Sequence, residues 1–219
     1  MNQHYRINEH INTLQSIRNR THEGDFHGIE RIVMIVVLLL KLCFPSFRIR
    51  HYADMHSHRL RNAMIEQYVI IKTILILFVL WCGRWSQWRW VGITIYFIGD
   101  LVVYLLWLIV LSNLHHSQPN LRRNLILLWI NMIEIITAFA VFYLASWSLH
   151  TTADSHVVVH WLQAFYFSIA TFATVGYGDM VVSWTRGYIL SILQILTSLL
   201  FISLVFSSVA SKLEITSEW

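Results

Sequence analysis

Charge is scarce in this chain. Asp, Glu, Lys and Arg make up 13% of its 219 residues, about half the share usual in a soluble domain. Beside a hydrophobic content of 56%, that scarcity excludes both an ordinary soluble globule and a disordered chain. Proline is nearly absent, at two residues, so little interrupts helix formation in the apolar runs. The two cysteines, Cys43 and Cys82, stand alone and are read as small apolar side chains, too few for a disulfide framework. No cleavable leader is expected, because the first apolar run starts near Ile32 behind a polar tail of mixed charge. No fixed-period repeat, low-complexity tract, nucleophile elbow, metalloprotease helix motif or phosphate-binding loop occurs, and no catalytic role is expected. The net charge of +4 could suggest nucleic acid. Its basic residues, however, sit in loops beside apolar segments, so membrane orientation accounts for them and no nucleic-acid partner is expected.

What is present is a series of long apolar runs. Residues 1–28 are polar, with Ile7, Ile11, Leu14 and Ile17 at helical spacing, which predicts a short amphipathic helix. Residues 29–47 hold the apolar stretch Ile32–Phe44, interrupted by Lys41, and predict an interfacial or partly spanning helix. Residues 63–82 and 90–111 each reach the roughly twenty residues that cross the hydrocarbon. A third run spans 124–147 and a last one 186–211, leaving a short tail at 212–219. Between those two lies Val157–Ala173, apolar but too short to cross and return. The fold class expected is an all-α integral membrane helix bundle.

The short apolar stretch leads into Thr174-Val175-Gly176-Tyr177-Gly178-Asp179. A dehydrated cation needs a ring of oxygens, and backbone carbonyls supply them without a titratable group. For successive carbonyls to point the same way, the residues must alternate in backbone hand, and Gly176 and Gly178 permit the left-handed conformation. Thr174 adds a hydroxyl oxygen, while Val175 and Tyr177 are expected to turn outward against their support. Span, polar turret, short helix, loop and span in that order suit a re-entrant segment, because irregular backbone survives at membrane depth only where it lines water or is buried in protein.

Over about Asn124–Ser211 the chain therefore resembles the pore module of the potassium channel family, and Phe165-Tyr166-Phe167-Ser168-Ile169-Ala170-Thr171 strengthens the likeness. The resemblance implies an outer helix (124–147), a pore helix (157–173), a filter (174–179) and an inner helix (186–211). It also implies four copies of the chain around one axis, with K+ bound at Thr174, Val175, Gly176, Tyr177 and Gly178 and no other cofactor. The family often has tryptophans where Tyr166 and Phe167 stand. Phe167 cannot donate a hydrogen bond, so support for Tyr177 and Asp179 is expected from Tyr166 and Thr171.

A filter near the outer face orients the rest. Arg48, Arg50, Arg59, Arg61, Arg122 and Arg123 then face the cytoplasm, as the excess of basic residues inside requires. Trp81, Trp85, Trp88, Trp90, Trp147 and Trp184 fall at the outer boundary as an aromatic belt. If 29–47 does not cross, the tail stays inside and 11 of the 14 basic residues outside apolar segments are cytoplasmic. That favours four spans, with a tilted fifth as the alternative. A multi-pass protein of the plasma (inner) membrane, in contact with its lipids, is expected.

Gating signals are missing. No span carries an arginine ladder, so conventional voltage sensing is not expected. The tail at 212–219 is too short for a regulatory domain, so such control would require a separate subunit. Ser198 stands where many members of the family have a hinge glycine. Ile195, Leu199, Ile202 and Phe206 share one face of the last helix; they either pack against neighbours or line the cavity, with Phe206 narrowing it. Asp100, Asn131, Glu134 and Gln194 lie inside spans and are expected to pair with Lys72, Tyr96, Tyr104 or a carbonyl. The twelve histidines fit no metal-binding spacing and are read as loop residues, with pH sensitivity as a secondary hypothesis. The expected function is a passive potassium-selective channel. The alternatives are a non-conducting regulatory or sensor subunit and, less favoured, a membrane enzyme using histidine-bound metal.

Overall fold

A computed structural model describes residue 40 and residues 58–111, 121–153 and 155–217. The expected helices at 1–28 and 29–47, the side of the membrane on which the N-terminus lies, and the loop histidines at 51, 56, 115 and 116 all fall outside those residues. All the elements below belong to the compact unit Lys41–Trp219.

Helix α1 runs His58–Trp81 and ends where Gly83 takes the left-handed conformation at φ 67°. That conformation is a common helix stop, because glycine bears it without a Cβ penalty. A 3-10 turn at Arg84–Ser86 reverses the chain into α2, Trp88–Leu111. The turn is pinned by Gln87, whose side-chain oxygen accepts from the Trp90 indole at 3.1 Å. Helix α3 follows at Leu121–Ser146, then strand β1 at Leu149–Thr151, helix α4 at Trp161–Phe172, strand β2 at Met180–Val182 and helix α5 at Trp184–Ser217.

Four of these helices are long and apolar enough to cross a membrane, at Ala63–Trp81, Trp88–Leu106, Leu125–Ser146 and Trp184–Ser207. The protein is thus a multi-pass, predominantly helical membrane protein. Helix α3 is its hub: 61% of its span is buried, against 28–33% for the other three. Ala138, Ala140 and Val141 are fully buried on it. Small side chains there let the short helix α4 approach closely enough for the Ser168 hydroxyl to donate to the Ile136 carbonyl at 2.7 Å.

Several boundaries differ from the sequence expectation: α1 begins at His58 rather than 63 and α3 at Leu121 rather than 124. The pore helix starts at Trp161, not 157, because the preceding residues are extended and bonded to β1. Val158 N–H donates to the Leu149 carbonyl at 2.8 Å, and Val157 bridges His150. His160 then caps the helix, its Nδ1 accepting from Leu162 N–H at 3.3 Å. The last helix continues through Ser217, so the segment expected as a tail from 212 is helical for most of its length. The two-stranded antiparallel ladder, Leu149 opposite Val182 and Thr151 opposite Met180, was not anticipated at all.

Trp81, Trp88, Trp147 and Trp184 are exposed. Trp85 packs edge-on against Trp147 with centroids 5.4 Å apart, tying the α1–α2 turn to the C-terminal end of α3.

Candidate ion-conduction site

Helix α4 ends by turning its carbonyls onto the loop that follows. Val175 N–H donates to the Ala170 carbonyl at 2.8 Å and Thr174 N–H to the Thr171 carbonyl at 3.1 Å. From there the backbone alternates in hand. Thr174, Gly176 and Gly178 have φ of 57°, 58° and 78°, while Val175 and Tyr177 remain at negative φ. Glycine takes that conformation freely, whereas for a β-branched residue such as Thr174 it is strained and costs on the order of 1–3 kcal/mol. Strain of this kind persists only where surrounding structure holds it, here the two hydrogen bonds from α4. The loop from Ala173 to Asp179 is exposed on this single chain.

Tyr166 of α4 stacks on Tyr177, with centroids 6.1 Å apart and planes within 8°. Desolvation, then the nearby Asp179 carboxylate, hold the Tyr166 phenol above its ordinary pKa. Thr171 meets the loop through its carbonyl, as described above. Phe167 turns away, edge-on to Tyr143 at 5.0 Å.

Support also arrives from a direction the sequence reading missed. Thr152, just after β1, donates its hydroxyl to the Gly178 carbonyl at 2.7 Å and its N–H to the Asp179 carbonyl at 2.9 Å. Beyond Asp179 the chain enters β2, and Ser183 N–H closes the hairpin on the Ser148 carbonyl at 2.7 Å. His150 is drawn in here, its Nδ1 lying 2.8 Å from the Ser183 hydroxyl. The only sequence signal was a pair of short β-branched runs, Thr151-Thr152 and Val181-Val182, on either side of the loop.

Behind α4 lies a buried polar network. Gln194 of α5 donates its amide to the Ser168 carbonyl at 2.8 Å and to the Ser168 hydroxyl at 2.9 Å, and its oxygen accepts from the Tyr143 hydroxyl at 2.8 Å. It joins the outer helix, the pore helix and the inner helix at one point. Gln194 was singled out in the sequence; Ser168 and Tyr143 were not. On α5 the stripe Gln194, Thr197, Ser198, Phe201 and Leu204 is buried. Ile195, Leu199, Ile202 and Phe206 lie on the exposed side, Phe206 at 75% exposure. Thr197 and Ser198 bond back to the Leu193 and Gln194 carbonyls, both at 2.8 Å.

The remaining intramembrane charges meet away from the loop. Lys72 of α1 lies 3.5 Å from Asp100 of α2 and 3.1 Å from Glu134 of α3, all three nearly inaccessible. Tyr68 adds a hydroxyl bond to Asp100 at 3.0 Å. The pairing with Lys72 follows the sequence expectation; Tyr68 is an additional partner. Among the described residues no group of three or more His, Cys, Asp or Glu side chains gathers as a metal site, and Cys82 is an exposed free thiol.

Residues 130–214 match the profile of a family described as "Ion channel". A stretch of 50 residues is 46% identical to the two-pore potassium channel 4 of Arabidopsis thaliana, covering 23% of this chain and 18% of that protein. The chain thus matches less than a fifth of that relative's length. No solved structure matches.

Proposed function

We propose that the protein is a potassium-selective channel assembled from four copies around one axis, a reading supported by the likeness of residues 130–214 to an ion-channel family and of 50 residues to a two-pore potassium channel. The observation that carries this reading is the alternation of backbone hand at Thr174, Gly176 and Gly178. Alternation turns the carbonyls of Thr174, Val175, Gly176 and Tyr177 toward one side, and four such edges facing an axis give stacked rings of oxygens. Each ring replaces the hydration shell of a K+ ion, while several sites in series keep binding weak enough for release. The Thr174 hydroxyl completes the innermost ring. The partially negative C-terminal end of α4 points at the axis and favours a cation there. Asp179 raises the local cation concentration at the outer mouth.

Four copies are needed because a single edge supplies one oxygen per ring. In that assembly the exposed side of α5, with Leu199, Ile202 and Phe206, lines the cavity below the filter, where a ring of phenylalanines narrows the path. The lipid-facing sides of α1 and α2 and the tryptophan belt seat the assembly in the plasma membrane. With no arginine ladder in the four spans, conventional voltage sensing is not the opening stimulus in this reading. Reconstitution of the purified protein into potassium-loaded liposomes tests the reading. Potassium efflux that barium blocks supports it. No efflux at any pH or voltage favours a non-conducting regulatory subunit.

A further inference from the structure

The outer end of the loop is held by an arrangement that its motif does not contain. Thr152 takes two successive loop carbonyls: Gly178 through its hydroxyl at 2.7 Å and Asp179 through its backbone N–H at 2.9 Å. The second bond extends the β1–β2 register by one residue, since Thr151 already faces Met180. The first reaches one residue further, into the loop itself. Gly178 stands at φ 78°, and no atom lies within 4 Å of where its Cβ would be, so no side chain of its own limits how its peptide turns. The hydrogen bond supplies that limit.

Resting on the reading of 174–178 as a K+ filter, we propose that Thr152 is a positioning residue for the outermost ion site. Its hydroxyl, at 2.7 Å, fixes the direction of the Gly178 carbonyl and so keeps that oxygen aimed at the ion. The bond also stops the Gly178 peptide from turning when the outer site empties. Phe167 offers no donor behind the filter; Tyr166 stacks on Tyr177 from inside and Thr152 holds Gly178 and Asp179 from outside.

The variants are Thr152→Val, which keeps the branched shape and removes the hydroxyl, and Thr152→Ser, which keeps the hydroxyl. Residue 152 is exposed, so neither change disturbs a core, and tetramer elution confirms assembly of each. The measurement is potassium current in planar bilayers as external K+ is lowered at constant ionic strength. Loss of one neutral hydrogen bond predicts that Thr152→Val loses current at about fivefold higher external K+ than wild type. Thr152→Ser is expected to behave as wild type. A Thr152→Val curve within about twofold of wild type overturns the proposal, as does Thr152→Ser failing equally, which would assign the effect to shape. Wild-type protein that passes no potassium overturns the filter reading and this proposal together. A conducting wild type with unchanged Thr152→Val overturns this one alone.

Discussion

Replacing Gln194 with leucine removes the point at which three pore-module helices meet. Leucine has nearly the volume of glutamine and fills the same buried position, so the change isolates the polar contacts. Three are lost: the two amide bonds to Ser168 and the bond from the Tyr143 hydroxyl. Interhelical hydrogen bonds in a membrane protein average about 0.6 kcal/mol each, so the expected loss is about 2 kcal/mol. The larger penalty for orphaned buried groups, about 1–3 kcal/mol each, does not apply. The Ser168 hydroxyl keeps its bond to the Ile136 carbonyl, and the Tyr143 hydroxyl keeps Ser191 at 3.2 Å. Tyr143→Phe alone loses the bonds to Gln194 and Ser191 and should cost about 1.2 kcal/mol, and the double variant about one shared bond less than the sum of the two. Reversible unfolding in mixed micelles by a graded denaturing detergent measures all three. A Gln194→Leu loss below about 0.5 kcal/mol, or full additivity of the two changes, would refute the claim that these residues act as one network.

Other perturbations probe different parts of the chain. Gly187→Ala would place a Cβ 2.9 Å from Ser148 Cβ and 3.0 Å from Val182 Cβ. The inner helix would be forced off the hairpin at a cost of about 1–3 kcal/mol, read as a lower thermal midpoint of the detergent-solubilised protein. Lys72→Met strands two buried carboxylates and should cost about 3–5 kcal/mol; adding Glu134→Gln should recover part of it in the same assay. Gly176→Ala meets no atom within 4 Å, so its penalty is backbone strain of about 1–2 kcal/mol. The expected outcome is an assembled protein whose potassium flux is lost.

The parts of this structure legible in the sequence are those that single residues dictate. Gly176 and Gly178 announce the left-handed positions because almost no other residue takes them freely, and the long apolar runs announce the spans because length alone decides. Thr174 joined them only in the structure: a β-branched residue at φ 57° is held there by bonds from α4 that no local propensity reveals. Asp100, Glu134, Gln194 and Lys72 stood out as polar residues in apolar runs. Which of them meet depends on helix register and rotation, so the pairing with Lys72 could be expected while Tyr68 and Ser168 could not be named. The hairpin was hidden because three-residue strands carry no readable period. Its cause lies in tertiary geometry, the return of the chain from the filter past the end of α3.

The central claim is that the edge at Thr174–Gly178 selects potassium, and a bi-ionic reversal potential tests it most directly. With potassium on one side of a planar bilayer and sodium on the other, at equal concentration, the account predicts a reversal potential displaced far toward that of a membrane permeable to potassium alone. A reversal potential near zero, with current carried equally by both ions, would contradict it.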